Sequence, residues 1–551
     1  MSGQEQPAVQ AIPAVQAVPA VPAVPAVAAV VAVPAGWGLR LDPGLQRFAG
    51  GTQLLGGSPL RLLKLKPAGA AAVDGLAGGD PVGRSKGHST LARRLFDAGM
   101  AHPVPAAVTF GAENVTVIIP VCDDADGLAA TLASLAMSVS GGCLGVIVVD
   151  DGSAVPVNGL RAEDPYLPEG MANTPVGMTE GGRGAGAAVE VTVLRRAQPG
   201  GPGIARQHGL VRVATPFVAF IDAGVVLPPG WLADLAAYFA DPLVVAVAPR
   251  IRSMGSATLL ERYEQTQSPL DLGAAEARVA PRSRVAYVPT AMLVARRQAV
   301  VAAGGFDPGL RYGEDVDLVW RLVGAGGTVR YAPQVVVRHP ARASWRSWWR
   351  QRVGYGSAAA PLTQRHPGQV PPVQVSAWSA AAWGAVAAGH PVLGLAVAAG
   401  SGAMLPRKLE GMEAPNRRAF ELAGRGHLLA GRWLARSLLR PYWPLALGAC
   451  LVSRRARRTV LAAAVVPALL DWRALAPPVD PLRFTALRVT DDVAYATGVW
   501  RGCVRSRSLA ALRPDLSSWP GRRLGGSAGT RETADGGAQE PSSQLGARSS
   551  R

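Results

Sequence analysis

Five short apolar runs, Val115–Val121, Leu144–Val149, Val189–Leu194, Phe217–Ile221 and Val244–Ala248, set the tightest limit on how this chain can fold. They alternate with helical stretches and are separated by long connections. Strands of that kind, apolar on both faces, imply an α/β fold with a mostly parallel sheet covered by helices. Ligands of such sheets bind outside the carboxyl ends of the strands. Polar residues standing there are the first candidates for chemistry.

Three acidic clusters stand at or just beyond strand ends. They are Asp150-Asp151-Gly152-Ser153, Asp222-Ala223-Gly224 and Glu314-Asp315-Val316-Asp317. An ionised carboxylate at the end of an apolar strand is costly to desolvate without a partner, and metal ions or hydroxyl and imide donors can serve. One such cluster is a common turn signal. Three on one sheet edge read as a nucleotide-sugar site.

The segments Val117–Val121, Val149–Ser153, Gly203–Gln207, Phe220–Asp222, Ala291–Arg296, Gly304–Asp307 and Gly313–Asp317 occur in one order. In that order the chain resembles the family 2 glycosyltransferases over roughly residues 112–340. Arg311–Arg321, Trp348–Gly356, Asp491–Cys503 and the N-terminal Leu55–Arg61 extend the likeness to glycosyltransferases of the mycofactocin system, across nearly the whole chain outside its two ends. The resemblance implies a GT-A type domain with UDP-glucose as donor. It implies premycofactocin, a redox cofactor made from a ribosomal peptide, as acceptor, and β-linked glucose or oligoglucose as product.

The resemblance also assigns roles. Pro120 and Val121 would line the nucleotide pocket with backbone. Of the pair Asp150 and Asp151, the second would accept from the uracil imide. Asp222, matching the first Asp of the family's DxD motif, would hold ribose or a divalent cation, Mg²⁺ or Mn²⁺, which suits phosphate oxygens. Asp315 would be the general base that an inverting single displacement requires. Glu314 and Asp317 flank it on the acceptor side and would orient the loop or cap the following helix. Trp348 and Trp349, with Trp345, would either stack on a sugar acceptor or anchor a helix at a membrane interface.

Two positions depart from the family. Gly224 replaces the second Asp of DxD, which puts the metal in question; His339, in Val337–Pro340, stands where related enzymes can supply a late ligand, or is an ordinary turn histidine. Arg206 could compensate electrostatically near the diphosphate. Gln207 stands where the family often has Asn.

The rest of the chain divides by composition. Residues 1–36 carry a low-complexity Ala/Pro/Val arm in which recurrent proline blocks helix and ladder, and nothing there reads as a signal peptide. Residues 37–110 look like a small α+β module, resembling PqqD-like winged-helix domains or serving as a structural cap. Residues 111–343 are the transferase domain. Residues 344–515 are helical, and the stretch between Arg365 and Arg407 has no Asp, Glu, Lys or Arg. Its apolar runs fall short of the ~20 residues needed to span a bilayer. Arg432, Arg436 and Arg440 share one helix face. This region reads as membrane-associated or as buried helices of a soluble domain. Residues 516–551 form a disordered tail.

The chain has 56 basic against 38 acidic residues, a net charge of +18, and only four of the basic residues are lysine. That excess reflects codon drift, or an anionic membrane surface or phosphate-bearing ligand. The expected location is the cytoplasm, at the inner face of the cell membrane. Four cysteines without CxxC spacing argue against a disulfide scaffold or zinc site. No nucleophile elbow, Walker loop or strand-linked GxGxxG is present, and no nucleic-acid partner is expected. An inverting UDP-glucose transferase is the leading reading. Its rivals are a membrane transferase acting on lipid or polysaccharide and a non-catalytic sugar-nucleotide binder.

Overall fold

A computed structural model describes residues 31–83, 85–106, 111–138, 142–157, 188–409 and 411–517. The arm and tail expected at 1–36 and 516–551 lie outside the described residues except for 31–36 and 516–517.

The chain opens with β1 (Gly38–Leu41), β2 (Gln46–Phe48), β3 (Gln53–Gly56), β4 (Arg61–Lys64), α1 (Pro67–Ala77), α2 (Lys86–Ala98) and β5 (Ala101–Val104). β2, β3 and β4 make an antiparallel sheet and β1 pairs with β5. Trp37, Leu54, Leu76, Leu95 and Met100 fill a core of their own, which Val33 joins. Ion pairs of Arg93 with Asp241 (2.7 Å) and of Arg284 with Asp42 (3.0 Å) bolt this module to the central domain.

The central domain comprises β6 (Val115–Val121), α3 (Ala125–Ser138), β7 (Cys143–Asp150), β8 (Ala188–Arg195), α4 (Pro202–Leu210), β9 (Phe217–Ile221), α5 (Trp231–Ala236), β10 (Val244–Met254), α6 (Leu259–Gln267), β11 (Ala277–Val279), β12 (Met292–Arg296), α7 (Arg297–Ala302), α8 (Glu314–Gly324) and β13 (Thr328–Pro340). Its eight strands form one sheet in the order β11-β13-β10-β12-β9-β6-β7-β8. Only β11 and β12 run against the rest. Along β6, Val115, Val117, Ile119 and Val121 face one apolar layer, and Ile118 faces the other. Phe217, Ala219 and Ile221 of β9 face the first layer, Val218 and Phe220 the second. This two-sided burial is what the unbroken apolar runs required.

Four of the eight strands depart from the expected runs: β11, β12 and β13 lie outside all five, and one run is only part of its strand. The run at Val244–Ala248 is only the first half of β10, which continues to Met254. Its parallel partner β13 is the longest strand, and its pairing jumps from Ala332 to Val336 opposite Pro249 and Arg250. The bulge absorbs Pro333 and Gln334, the residues that hide this strand from an apolar-run reading.

The remaining elements are helices: α9 (Trp345–Ser357), α10 (Ala359–Arg365), α11 (Ala377–Ala387), α12 (Pro391–Met404), α13 (Pro415–Leu439), α14 (Trp443–Val452), α15 (Arg454–Leu475) and α16 (Pro481–Arg505). Among the described residues no helix is long and apolar enough to cross a membrane. The basic face expected to meet a membrane is instead ion-paired. Arg432 binds Asp471, while Arg436 and Arg440 both reach the buried Asp492 of α16.

α9 and α16 touch backbone to backbone. A Cβ on Gly356 would collide with the Tyr495 carbonyl, and one on Gly498 would collide with the Val353 carbonyl and lie 2.9 Å from the Gly356 Cα. Beside this seam the Arg352 guanidinium, 2% exposed, donates to Glu264 of α6 and to Asp491 of α16 (3.0 Å). Tyr263 donates to the same Asp491 (3.2 Å), and Trp348 Nε1 donates to Glu264 (2.8 Å). The last helix is thereby fastened to the central domain.

Gly498→Ala should lower stability by about 1–3 kcal/mol, since neither backbone can retreat from the new methyl. Gly424→Ala, in α13 where a Cβ meets nothing within 4 Å, should raise it by about 0.5–1 kcal/mol through helix propensity. Denaturant melts of the two variants check the contrast.

Candidate active site

The strands β6, β7 and β9 are parallel, so Val121, Asp150 and Ile221 end at one edge of the sheet. The three acidic clusters meet this edge unequally. Asp150, fully buried, accepts from the amides of Ser153 (2.9 Å) and Val157 (3.3 Å) and from Arg195. Burial alone would raise its pKa; these donors overcome that and hold the carboxyl below the ordinary aspartate range. Asp151 accepts from the amides of Gly200 (3.0 Å) and Gly201 (2.6 Å) and from Arg196, so it fastens the loop that enters α4. Its own amide donates to the Val121 carbonyl (2.8 Å), which closes the first cluster onto β6 beside the buried Pro120.

The other two clusters are joined by one side chain. Arg206, on α4 and 2% exposed, donates to Asp222 and to Glu314 Oε1 (3.2 Å). Burial disfavours its charge, and Asp222 and Glu314 more than restore it. Glu314 begins α8 and is buried; desolvation first, then the charge of Asp315, raises its pKa to about 7 against the pull of Arg206. Asp315 is half-buried, and desolvation raises it above the aspartate range despite the Val316 amide it accepts from (2.8 Å) and the Arg206 charge. A carboxylate held partly toward its neutral form, next to a cation-bridged acidic pair, is suited to taking a proton.

Asp317 stands apart. Fully buried, it accepts from Arg321 (2.8 Å), Arg365 (2.7 Å) and His366 (2.8 Å). Those bonds lower its pKa despite burial. It braces α8 against α10 and faces no acceptor. Trp348, also expected on the acceptor side, is 0% exposed in the core between α6 and α16, bound to Glu264; packing there removes it from any sugar-stacking role. Trp349 and Trp345 remain exposed.

The departure at Gly224 has a local cause. Its φ is +87°, and a Cβ there would lie 2.9 Å from Pro340 Cγ. A second DxD carboxylate would be strained on this backbone. His339 lies at the end of β13 with Nδ1 against the Pro340 carbonyl (2.8 Å). Among the described residues no group of three His, Cys, Asp or Glu side chains is placed to hold a metal. What remains for a cation is Asp222, whose side chain is 29% exposed. One carboxylate with substrate phosphates is a common way of holding Mg²⁺.

The sequence reading missed Arg195 and Arg196, which lie at and just beyond the end of β8 and pin the Asp150–Asp151 pair; two basic residues beyond a strand, in register with two acidic ones, were the available signal. The sequence alone gives no reason for Gln207. Gln207 Oε1 accepts from the Phe306 amide (2.9 Å) across to the loop before α8.

Residues 112–353 match the family described as "Glycosyltransferase like family 2". Over 492 residues, 87% of this chain and 98% of the relative, the chain is 39% identical to the pre-mycofactocin glycosyltransferase of Mycobacterium tuberculosis, in strains CDC 1551 / Oshkosh and ATCC 25618 / H37Rv alike. Among solved structures, a mannosyltransferase from Pyrobaculum calidifontis in complex with GDP-Man and Mn²⁺ overlaps 72% of this chain and 91% of its own with a TM-score of 0.38 at 16% identity, a likeness too slight to bear on the site.

The raised pKa of Glu314 fixes a sign. The folded state holds the proton up to about pH 7, whereas the unfolded chain releases it near 4.5. Stability should therefore fall as pH climbs through that window, by at most about 1.4 kcal/mol per pH unit. Glu314→Gln should flatten this part of the profile, read by thermal melts between pH 4.5 and 7.5.

Proposed function

The chain belongs to glycosyltransferase family 2, and on that premise we propose that it moves glucose from UDP-glucose to premycofactocin with inversion at the anomeric carbon. The observation that carries the reading is the placement of Asp315, a half-buried carboxyl raised above the aspartate range, beside the Asp222–Arg206–Glu314 bridge at the carboxyl edge of the sheet. The α/β domain, with six of eight strands in one direction, is of the GT-A type expected for the family. The acceptor is taken from the function named for the mycobacterial relatives.

In the proposed reaction UDP-glucose lies along the ends of β6, β7 and β9. Asp151 accepts from the uracil imide, and its loop bonds to Gly200, Gly201 and Arg196 keep it at the strand end. Asp222 faces ribose and diphosphate. A divalent cation, Mg²⁺ or Mn²⁺, would be held by Asp222 and the phosphates and would offset charge on the departing UDP. Asp315 takes the proton of the acceptor hydroxyl as its oxygen bonds to the anomeric carbon and the bond to UDP breaks. Glu314 keeps Arg206 in place and disfavours a second full negative charge beside the base.

A second reading concerns where the enzyme works. α12, α14 and α15 leave large apolar side chains in the open: Val392 at 80%, Leu395 at 71%, Leu445 at 73%, Leu451 at 77%. Arg454, Arg455, Arg457 and Arg458 stand at the start of α15. Apolar side chains beside a basic row suit the surface of an anionic leaflet. We infer that these short helices lie in the inner leaflet interface without crossing it.

Asp315→Asn should lower UDP release from UDP-glucose and premycofactocin by about 10²–10⁴-fold with Mn²⁺ present; release unchanged from wild type overturns the base. For the membrane, the full chain should float with phosphatidylglycerol vesicles and not with phosphatidylcholine alone. The double variant Leu445→Asp, Leu451→Asp should stay in solution, and equal flotation of both proteins would sink that reading.

A further inference from the structure

The chain has nine tyrosines, of which all but Tyr166 are described. Tyr238, Tyr263, Tyr331 and Tyr442 each give the hydroxyl a protein partner: Glu276 (3.2 Å), Asp491 (3.2 Å), the Gly273 carbonyl (2.7 Å) and the Leu512 carbonyl (2.9 Å). Tyr287, Tyr312, Tyr355 and Tyr495 have no hydroxyl partner among the described residues, and all four are half-buried. They come from four places in the chain: the approach to β12, the loop before α8, α9 and α16.

Three of these stand near Asp315, and Tyr495 joins them through Tyr287. Tyr312 precedes Asp315 by three residues, and its ring meets that of Tyr355 edge to face with centroids 6.4 Å apart. The Asp315 charge bears on both Tyr287 and Tyr355, and Tyr287 in turn lies within the field of Tyr495 and Arg440. Burial is the main reason that the hydroxyls of Tyr287 and Tyr355 titrate above the ordinary phenol range, so both are neutral donors at any working pH. The Arg440 guanidinium sits 4.6 Å over the Tyr495 ring and shares the Asp492 carboxylate with Arg436. Two glycines make the gathering possible. A side chain at Gly354 would strike the Tyr312 ring, and one at Gly356 would strike the Tyr495 backbone.

Half-buried phenols with unengaged hydroxyls beside a carboxyl base, reached also by the charges of Arg342 and Arg440, offer rings and hydroxyls to one ligand chemistry. It is a neutral ring bearing hydroxyls and apolar C–H faces, as in a sugar unit. We propose that Tyr287, Tyr312, Tyr355 and Tyr495 form the acceptor-binding wall, and that it holds a neutral glycoside with one hydroxyl toward Asp315. The C-terminal helices then supply half of the acceptor site, α9 through Tyr355 and α16 through Tyr495. This rests on the reading of Asp315 as the base of a transferase.

Two measurements on the full chain test it. Steady-state UDP release is followed with premycofactocin and UDP-glucose varied in turn. Tyr355→Phe and Tyr495→Ala should raise the acceptor KM about three- to tenfold. The donor KM and the slow acceptor-independent hydrolysis of UDP-glucose should stay as in wild type, and Tyr442→Phe should change nothing. An unmoved acceptor KM, or donor and acceptor KM rising together, overturns the wall. Saturation-transfer NMR with methyl β-glucoside in the presence of UDP reads the site without turnover. Wild type should show transfer and the double variant Tyr355→Ala, Tyr495→Ala should lose it; no transfer to wild type also overturns the proposal. Glucoside binding by a wild-type chain that releases no UDP would fail the transferase reading alone.

Discussion

A single buried guanidinium, that of Arg206, ties the sheet edge to the start of α8. Removing three charges from water at once is unfavourable unless each finds a partner at close range. Here the one cation is shared by Asp222 and Glu314, so two carboxylates compete for it. Burial first and the charge of Asp315 second push the Glu314 carboxyl up to about 7, and a shared guanidinium does not offset them, whereas three basic partners hold Asp317 below the aspartate range. The same α8 start that carries the unsatisfied acid also carries Asp315. Burial raises the Asp315 carboxyl first, and the charges of the bridge, Arg206 lowering and Asp222 raising, act on top of it.

How legible this was in the sequence depended on the range over which each signal acts. β6 and β9 coincide with their apolar runs because both faces of those strands are dry and every residue carries the signal. β13 escaped because its parallel register tolerates a bulge that admits Pro333, and β12 because its five residues run against their neighbours in a sheet expected to be parallel. Asp315, Asp222 and Asp151 could be picked out by motif. The motif could set Asp315 apart as the base but could not show Asp317 withdrawn from the acceptor side, because what withdraws it is Arg365 and His366 at the end of another helix. Trp348 likewise looked like an exposed aromatic until Glu264 and Phe484 closed over it.

The tyrosines were invisible for a related reason. They are spread from residue 287 to 495 and share no period, so nothing along the chain announces that they meet. At the α9–α16 seam Gly356, Gly498 and Gly502 stand in for any side chain and the backbones close to contact, while Gly354 makes room for the Tyr312 ring. Glycine costs helix propensity at each place. The return is an approach close enough for the buried Glu264–Arg352–Asp491 bridge to span three helices. The boundary drawn by composition near residue 343 is therefore a boundary of patterning, and chemistry crosses it.

The position of α16 at the far end of the chain also sets an order of assembly. During synthesis, every strand of the central sheet has left the ribosome well before α16 is made, and the donor edge can form then. Glu264 and Arg352 can meet as soon as α9 folds, but Asp491 and Tyr495 arrive well over a hundred residues later. A nascent chain would pass through an interval in which its nucleotide end is complete and its α9 glycines are bare to solvent. On the proposed reading, the wall that Tyr495 completes would exist only once the last helix has seated, at the close of the chain's own translation.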